Sequence, residues 1–117
     1  MKLTMTRGDT QVYRFQRKKN GDVLLTPADE IYFTIKNTAL PLKPLLMKTI
    51  NDMDFNAENG TYRFVIHPED TAVLPIGTYR YDIQVTDNGV VKTVAKGDFE
   101  LTWEVTFYEN TVGENNG

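Results

Sequence analysis

The chain has 117 residues, 40% of them hydrophobic and 25% charged, with a formal net charge of −3 and no cysteine. That is one domain's length with a globular composition, enough to bury a core without staples. It excludes disulfides, thiolate metal sites and thiol nucleophiles, and its slight negative balance speaks against phosphate backbones, whose binding takes clustered positive charge.

The first seven residues hold no apolar run long enough for a signal peptide. No stretch approaches the ~20 apolar residues that span a bilayer. Neither nucleic acid nor a membrane is therefore an expected partner, and the lack of cysteine favours folding in the cytosol. Leu3 and Met5 alternate with polar neighbours in a short first strand, which Arg7-Gly8-Asp9 breaks. Residues 11–17 form the second, with Tyr13 and Phe15 on one face and Arg14 and Gln16 on the other. Asn20-Gly21 is a strong turn dipeptide, because both residues tolerate positive φ. The basic run Arg14, Arg17, Lys18 and Lys19 reads as a solvated strand end.

Residues 31–36 give the clearest strand of the first half, Ile31, Phe33 and Ile35 alternating with Tyr32, Thr34 and Lys36. Pro41 and Pro44 bracket a turn, after which 45–50 resume as an edge strand. An acidic loop over 52–59 carries Phe55, expected to tuck inward. The strand 61–67 places Tyr62, Phe64 and Ile66 inside. Pro68 and the acids after it predict one helical turn crossing between sheets, with Val73 and Leu74 plugging one end. From Gly77, Tyr79, Tyr81, Ile83 and Val85 alternate up to the hairpin turn Asp87-Asn88-Gly89. The return strand starts at Val90, and Gly97-Asp98 predicts a bulge in it. Phe99, Leu101, Trp103, Val105 and Phe107 continue the period, and residues 108–117 read as a flexible polar tail.

These elements predict an all-β fold, a two-sheet immunoglobulin-like β-sandwich of seven to eight strands with one short helical crossover turn, over residues 1–107. Its expected core includes Tyr13, Phe33, Ile35, Phe64, Ile66, Tyr81, Ile83 and Trp103. Residues 60–66 and 77–83 echo each other as Gly-Thr-Tyr-Arg followed by an aromatic. Arg63 and Arg80 would form a positive stripe if their strands shared a sheet, and otherwise a salt-bridged face.

Chemistry-bearing constellations are scarce. His67 is the one histidine and is expected at a strand-to-turn junction; with no cysteine it cannot assemble a zinc site or a nucleophile–base pair. Asn51-Asp52-Met53-Asp54-Phe55-Asn56 imitates a calcium loop but lacks the glycine at the sixth position and the glutamate at the twelfth. Arg7-Gly8-Asp9 reads as a bend, and Asn59-Gly60-Thr61 as a type I′ turn. No catalytic residue, metal or cofactor is expected, and the chain reads as a non-enzyme.

Several segments together resemble a known family. They are Met5-Thr6-Arg7-Gly8-Asp9-Thr10 with Phe15, Asn20-Gly21-Asp22 with Leu25-Thr26, Ile31-Tyr32-Phe33-Thr34-Ile35-Lys36, Gly77-Thr78-Tyr79-Arg80-Tyr81-Asp82-Ile83 and Lys96-Gly97-Asp98-Phe99. The pattern is similar to the N-terminal domain of the upper baseplate protein of siphophages, and to small immunoglobulin-like phage and prophage structural proteins. The resemblance implies a virion structural or adaptor module of the tail or baseplate, made in the bacterial host cytoplasm. Its partners would be other phage structural proteins or further copies of itself. The baseplate protein continues into a helical linker, whereas this sequence ends in a polar tail, which favours a stand-alone adaptor. The alternative is a carbohydrate- or cell-surface-binding module using exposed aromatics such as Tyr32 and Tyr108. The expected mode of association is through an edge strand or a sheet face. The 42–50 segment, with Leu45, Met47, Lys48 and Ile50, is the expected binding site.

Overall fold

Period-two alternation of apolar and polar residues organises the chain of this computed structural model, which describes residues 1–38 and 43–103. The strands are β1 (Leu3–Thr6), β2 (Gln11–Gln16), β3 (Lys18–Lys19), β4 (Asp22–Val23), β5 (Glu30–Lys36) and β6 (Pro44–Thr49). After a 3₁₀ turn at Ile50–Asp52 come β7 (Asp54–Asn56), β8 (Thr61–Ile66), the helical turn α1 (Pro68–Thr71), β9 (Gly77–Asp87) and β10 (Val90–Thr102). The large sheet has the order β1-β10-β9-β5-β6, the small one β2-β8-β7, and β3 and β4 form a separate ribbon. All pairings are antiparallel except that of β1 with β10.

The two sheets meet through aromatic rings. Phe33 of β5 and Phe64 of β8 have centroids 4.7 Å apart, and Tyr13 of β2 stacks 6.5 Å from Phe33. Phe55 lies 4.6 Å from Tyr62, so it turns inward as the sequence predicts. Around these rings Ile31, Ile35, Ile66, Ile83, Val85, Phe99 and Leu101 are buried. The Ala28 N–H donates to the Tyr62 hydroxyl at 2.8 Å, tying the approach to β5 onto the small sheet. Asn20 and Gly21, and again Asn88 and Gly89, all have positive φ, the conformation a two-residue hairpin turn of the I′ kind requires.

The all-β sandwich is thus present, with local departures. Ten strands stand among the described residues where seven or eight were expected, because β3, β4 and β7 have only two or three residues each and leave no readable period. Trp103 is 59% exposed, since β10 ends at Thr102; the Arg7 guanidinium sits 5.8 Å from its ring centroid. Val73 is 82% exposed, and Thr71 is buried with Leu74 instead. A tight turn puts residues three apart on one side, so Thr71 and Leu74 point in together and Val73 points out. The bulge of β10 falls between Thr93 and Ala95, not at Gly97. Gly97 answers a close approach: a Cβ there would lie 1.9 Å from the Met1 carbonyl oxygen. Asn59-Gly60 is not a type I′ turn, because Asn59 lacks positive φ. Gly60 alone has it, at +74°, and its N–H returns to the Asn56 carbonyl at 2.7 Å.

Two charged groups cross-brace the sandwich. Arg17, expected in solvent, is buried and donates to Asp87 at 3.1 Å and to the Thr26 carbonyl at 2.6 Å. Lys48 points inward from β6 and holds Asp70 of α1 at 2.8 Å, with both side chains mostly covered. Burial alone would raise the Asp70 carboxyl. The hydrogen bonds from Lys48 and the His67 N–H, and the Lys48 charge, outweigh it and hold the group below its ordinary value.

Replacing Phe64 by alanine should cost about 3–5 kcal/mol in urea unfolding, whereas Val73→Ala should stay within about 0.5 kcal/mol. Equal effects at the two positions would contradict the packing described. The depressed Asp70 group contributes stability that is present above the ordinary carboxylate value and lost as pH falls through its lower folded value. Asp70→Asn should therefore destabilise by about 1–3 kcal/mol at pH 7, with the gap to the wild-type chain closing below about pH 4. Denaturation midpoints across pH 2–7 measure this, and a gap that widens in acid would refute the assignment.

Candidate functional site

An open sandwich exposes unpaired N–H and C=O groups along its edge strands, which must be blocked, covered or used. In the large sheet one such edge is β6, the last strand in the order, as the sequence predicts. Its pairing with β5 sets Met47 opposite Thr34 on the outer face and Lys48 opposite Phe33 on the inner face. Leu45 and Met47 are accordingly exposed, at 41% and 44%. The four residues expected to bind therefore divide. Leu45 and Met47 face solvent. Lys48 is engaged with Asp70, and Ile50 has left the strand for the 3₁₀ turn, where it packs against the core. Thr49 and Asp52 lock that turn: the Asp52 carboxylate accepts from the Thr49 N–H at 2.8 Å.

A second open edge escapes the sequence pattern. β1 covers β10 only from Phe99 to Thr102. Among the described residues nothing pairs with the outer edge of β10 from Val90 to Ala95. Val90, Val91 and Val94 are exposed there, with Lys92 between them. The available signal was the loss of alternation in Val-Val-Lys-Thr-Val, which is unlike a strand with one buried face. Lys92 and the bulge beside Val94 are the devices that keep such an edge from indiscriminate pairing.

The remaining motifs have structural employment. Asp54 pairs with Arg63 at 3.2 Å and Arg80 with Asp98 at 3.5 Å. Since Arg63 lies in the small sheet and Arg80 in the large one, no positive stripe forms. Asp52 and Asp54 of the calcium-like segment are thus spent on the turn and on Arg63. Among the described residues no three His, Cys, Asp or Glu side chains gather as a metal site would need. His67 stands at the junction of β8 and α1, its backbone N–H bound to Asp70. Arg7-Gly8-Asp9 makes the bend between the sheets, with Gly8 at φ +88° and its N–H on the Thr71 hydroxyl at 3.2 Å. Tyr32 lies half-buried on the outer face of β5. Tyr108 and the 108–117 segment lie outside the described residues, as do Pro41 and the start of the 42–50 segment.

No protein-family profile and no curated protein matches the chain by sequence. Solved structures do match its fold. The N-terminal domain of phage TP901-1 ORF48 is similar over 86% of this chain and 83% of that one, with a TM-score of 0.54 and 14% identity. The endo-β-1,4-mannanase of Thermotoga petrophila is similar over 87% of this chain, with a TM-score of 0.57 and 12% identity. The chain spans 18% of the length of that mannanase. At these identities the likeness establishes a shared β-sandwich, found in an N-terminal domain of a phage protein as well as in part of an enzyme.

Proposed function

We propose that the chain is a non-catalytic structural or adaptor module of a phage or prophage tail or baseplate, working in the virion through protein–protein contacts. The observation that carries this reading is the likeness to the phage domain, which runs through most of both chains. It agrees with the turn and strand segments that resemble siphophage baseplate proteins. The edges support it as well. β6 presents Leu45 and Met47 on an edge that no other strand pairs among the described residues, and strand addition or apolar packing at such an edge is an ordinary route to ordered assembly. Partners of this kind are other phage structural proteins or further copies of the chain.

A tagged copy produced during phage induction in the bacterial host should co-sediment with tail-bearing particles in a density gradient. Met47→Lys sets a charge on an exposed edge position without touching the core. It should reduce the particle-bound fraction about fivefold, as loss of roughly 1 kcal/mol of contact does, with circular dichroism unchanged. A wild-type chain that stays at the top of the gradient, free of particles, would refute the reading. An unaffected Met47→Lys chain would move the contact off β6.

A further inference from the structure

The outer face of the large sheet holds a depression beside the β6 edge, with Met47 common to both. Strand register fixes its layout. Across β6, β5, β9 and β10 one row reads Met47, Thr34, Asp82, Lys96. Along β5, Tyr32 flanks this row on one side and Lys36 on the other, because residues two apart share a face. Two hollows of about 370 and 270 Å³ adjoin here, sharing Thr34, Lys36 and Asp82. Thr34 is only 7% exposed although it lies on the sheet's outer side, so its neighbours rise around it as walls.

What distinguishes the hollow is unspent polarity. Arg80, which lines it, is engaged with Asp98, and farther along the same face, toward β1, Lys2 holds Glu100 at 2.8 Å. Lys36, Asp82 and Lys96 form no ion pair among the described residues, although Asp82 and Lys96 are direct cross-strand partners. A carboxylate and two ammonium groups are thus held around one concavity with their hydrogen-bonding capacity free. A simple anion drawn by the lysines would meet Asp82, and a cation drawn by Asp82 would meet the lysines. A hydroxyl group both donates and accepts. Vicinal hydroxyls satisfy both signs at once, donating to the carboxylate and accepting from an ammonium in charge-assisted bonds. The half-buried Tyr32 ring on one wall and the exposed Met47 side chain on another supply apolar surface. Such surface suits the C–H face of a sugar ring.

We infer that this hollow binds a neutral saccharide, a pyranose presenting vicinal hydroxyls to Asp82 and the flanking lysines, with Tyr32 packed on the ring. The hollows are shallow and open, one at the small end of ligand-site volumes and the other just below it, which fits weak holding of a short stretch of a longer glycan. Met47 belongs to both surfaces, so Asp82 separates the two readings: Asp82→Asn should leave particle co-sedimentation unchanged whether or not sugar binds.

The test is a calorimetric and NMR titration of the full chain with cellotetraose, mannotetraose and chitotetraose, and with poly(glycerol phosphate) as the anionic counterpart. At least one neutral probe should bind saturably at one site, shifting the amides of Tyr32, Thr34 and Asp82. Asp82→Asn and Tyr32→Ala should each weaken it about tenfold or more, equal to ~1.4 kcal/mol. Lys92→Gln on the far edge of β10 should leave it unchanged, and melting temperatures should show all three variants folded. If Tyr32→Ala melts early, Tyr32→Leu takes its place, keeping bulk while losing the ring. The inference is overturned if no neutral probe binds up to about 10 mM, a limit corresponding to only ~2.7 kcal/mol of affinity. It is equally overturned if binding survives both substitutions, or if the glycerol phosphate polymer alone binds.

Discussion

The contact of Phe33 with Phe64 is what makes two sheets into one domain. Each ring stands on the inner face of its own sheet, and neither sheet can bury its apolar side without the other. The 4.7 Å between their centroids lies within the range of favourable aromatic pairs, and Tyr13, Tyr62 and Tyr81 extend the same seam. Everything placed on the outer faces depends on this seam holding the strands in register. A slip of one residue in β5 would turn Tyr32, Thr34 and Lys36 inward and expose Ile31, Phe33 and Ile35.

At the two ends of the sandwich, charges complete what the rings begin. Arg17 joins the turn after β2 to the end of β9, and Lys48 joins edge strand β6 to the crossover turn α1. Both are covered cations with an acidic partner, so breaking either pair strands a charge away from water, which costs more than an exposed pair is worth. Lys48 has a second effect. A charge pointing inward from an edge strand disfavours continuation of the sheet. What remains open on β6 is its outer side, with Leu45 and Met47. The edge is therefore selective, not merely exposed.

Much of this architecture is legible in the sequence, for a physical reason. Where one face is buried and the other wet, alternation is forced, and β2, β5, β8 and β9 all announce themselves that way. Turns that require positive φ at two residues are equally legible, as at Asn20-Gly21 and Asn88-Gly89. Legibility fails where the determining contact is distant in sequence. Gly97 looks like a bulge until the Met1 carbonyl is found lying over it. Arg17 looks solvated until Asp87 arrives from seventy residues away. Trp103 looks buried by period, yet the strand it continues has already ended. At the candidate site the same division holds. β6 is recognisable as an edge from its prolines and excess of apolar residues. The inward aim of Lys48 depends on α1 and cannot be read from β6 alone, and the open stretch of β10 follows only from how short β1 is.

These features separate structural from functional duty within one small sheet. The inner face, the two covered ion pairs and the glycine turns account for the fold, and the groups assigned to them are spent. On the outer face Arg80 and Lys2 are likewise spent on Asp98 and Glu100. Lys36, Asp82 and Lys96 form no ion pair among the described residues, although the register brings opposite charges side by side. The concavity and the arrangement of charges around it arise from the same strand register. The sandwich thus offers two surfaces of different chemistry, apolar edges suited to protein contacts and a polar hollow suited to a hydroxylated ligand. They meet at Met47, so a partner packed on the outer side of β6 would cover part of the hollow beside it.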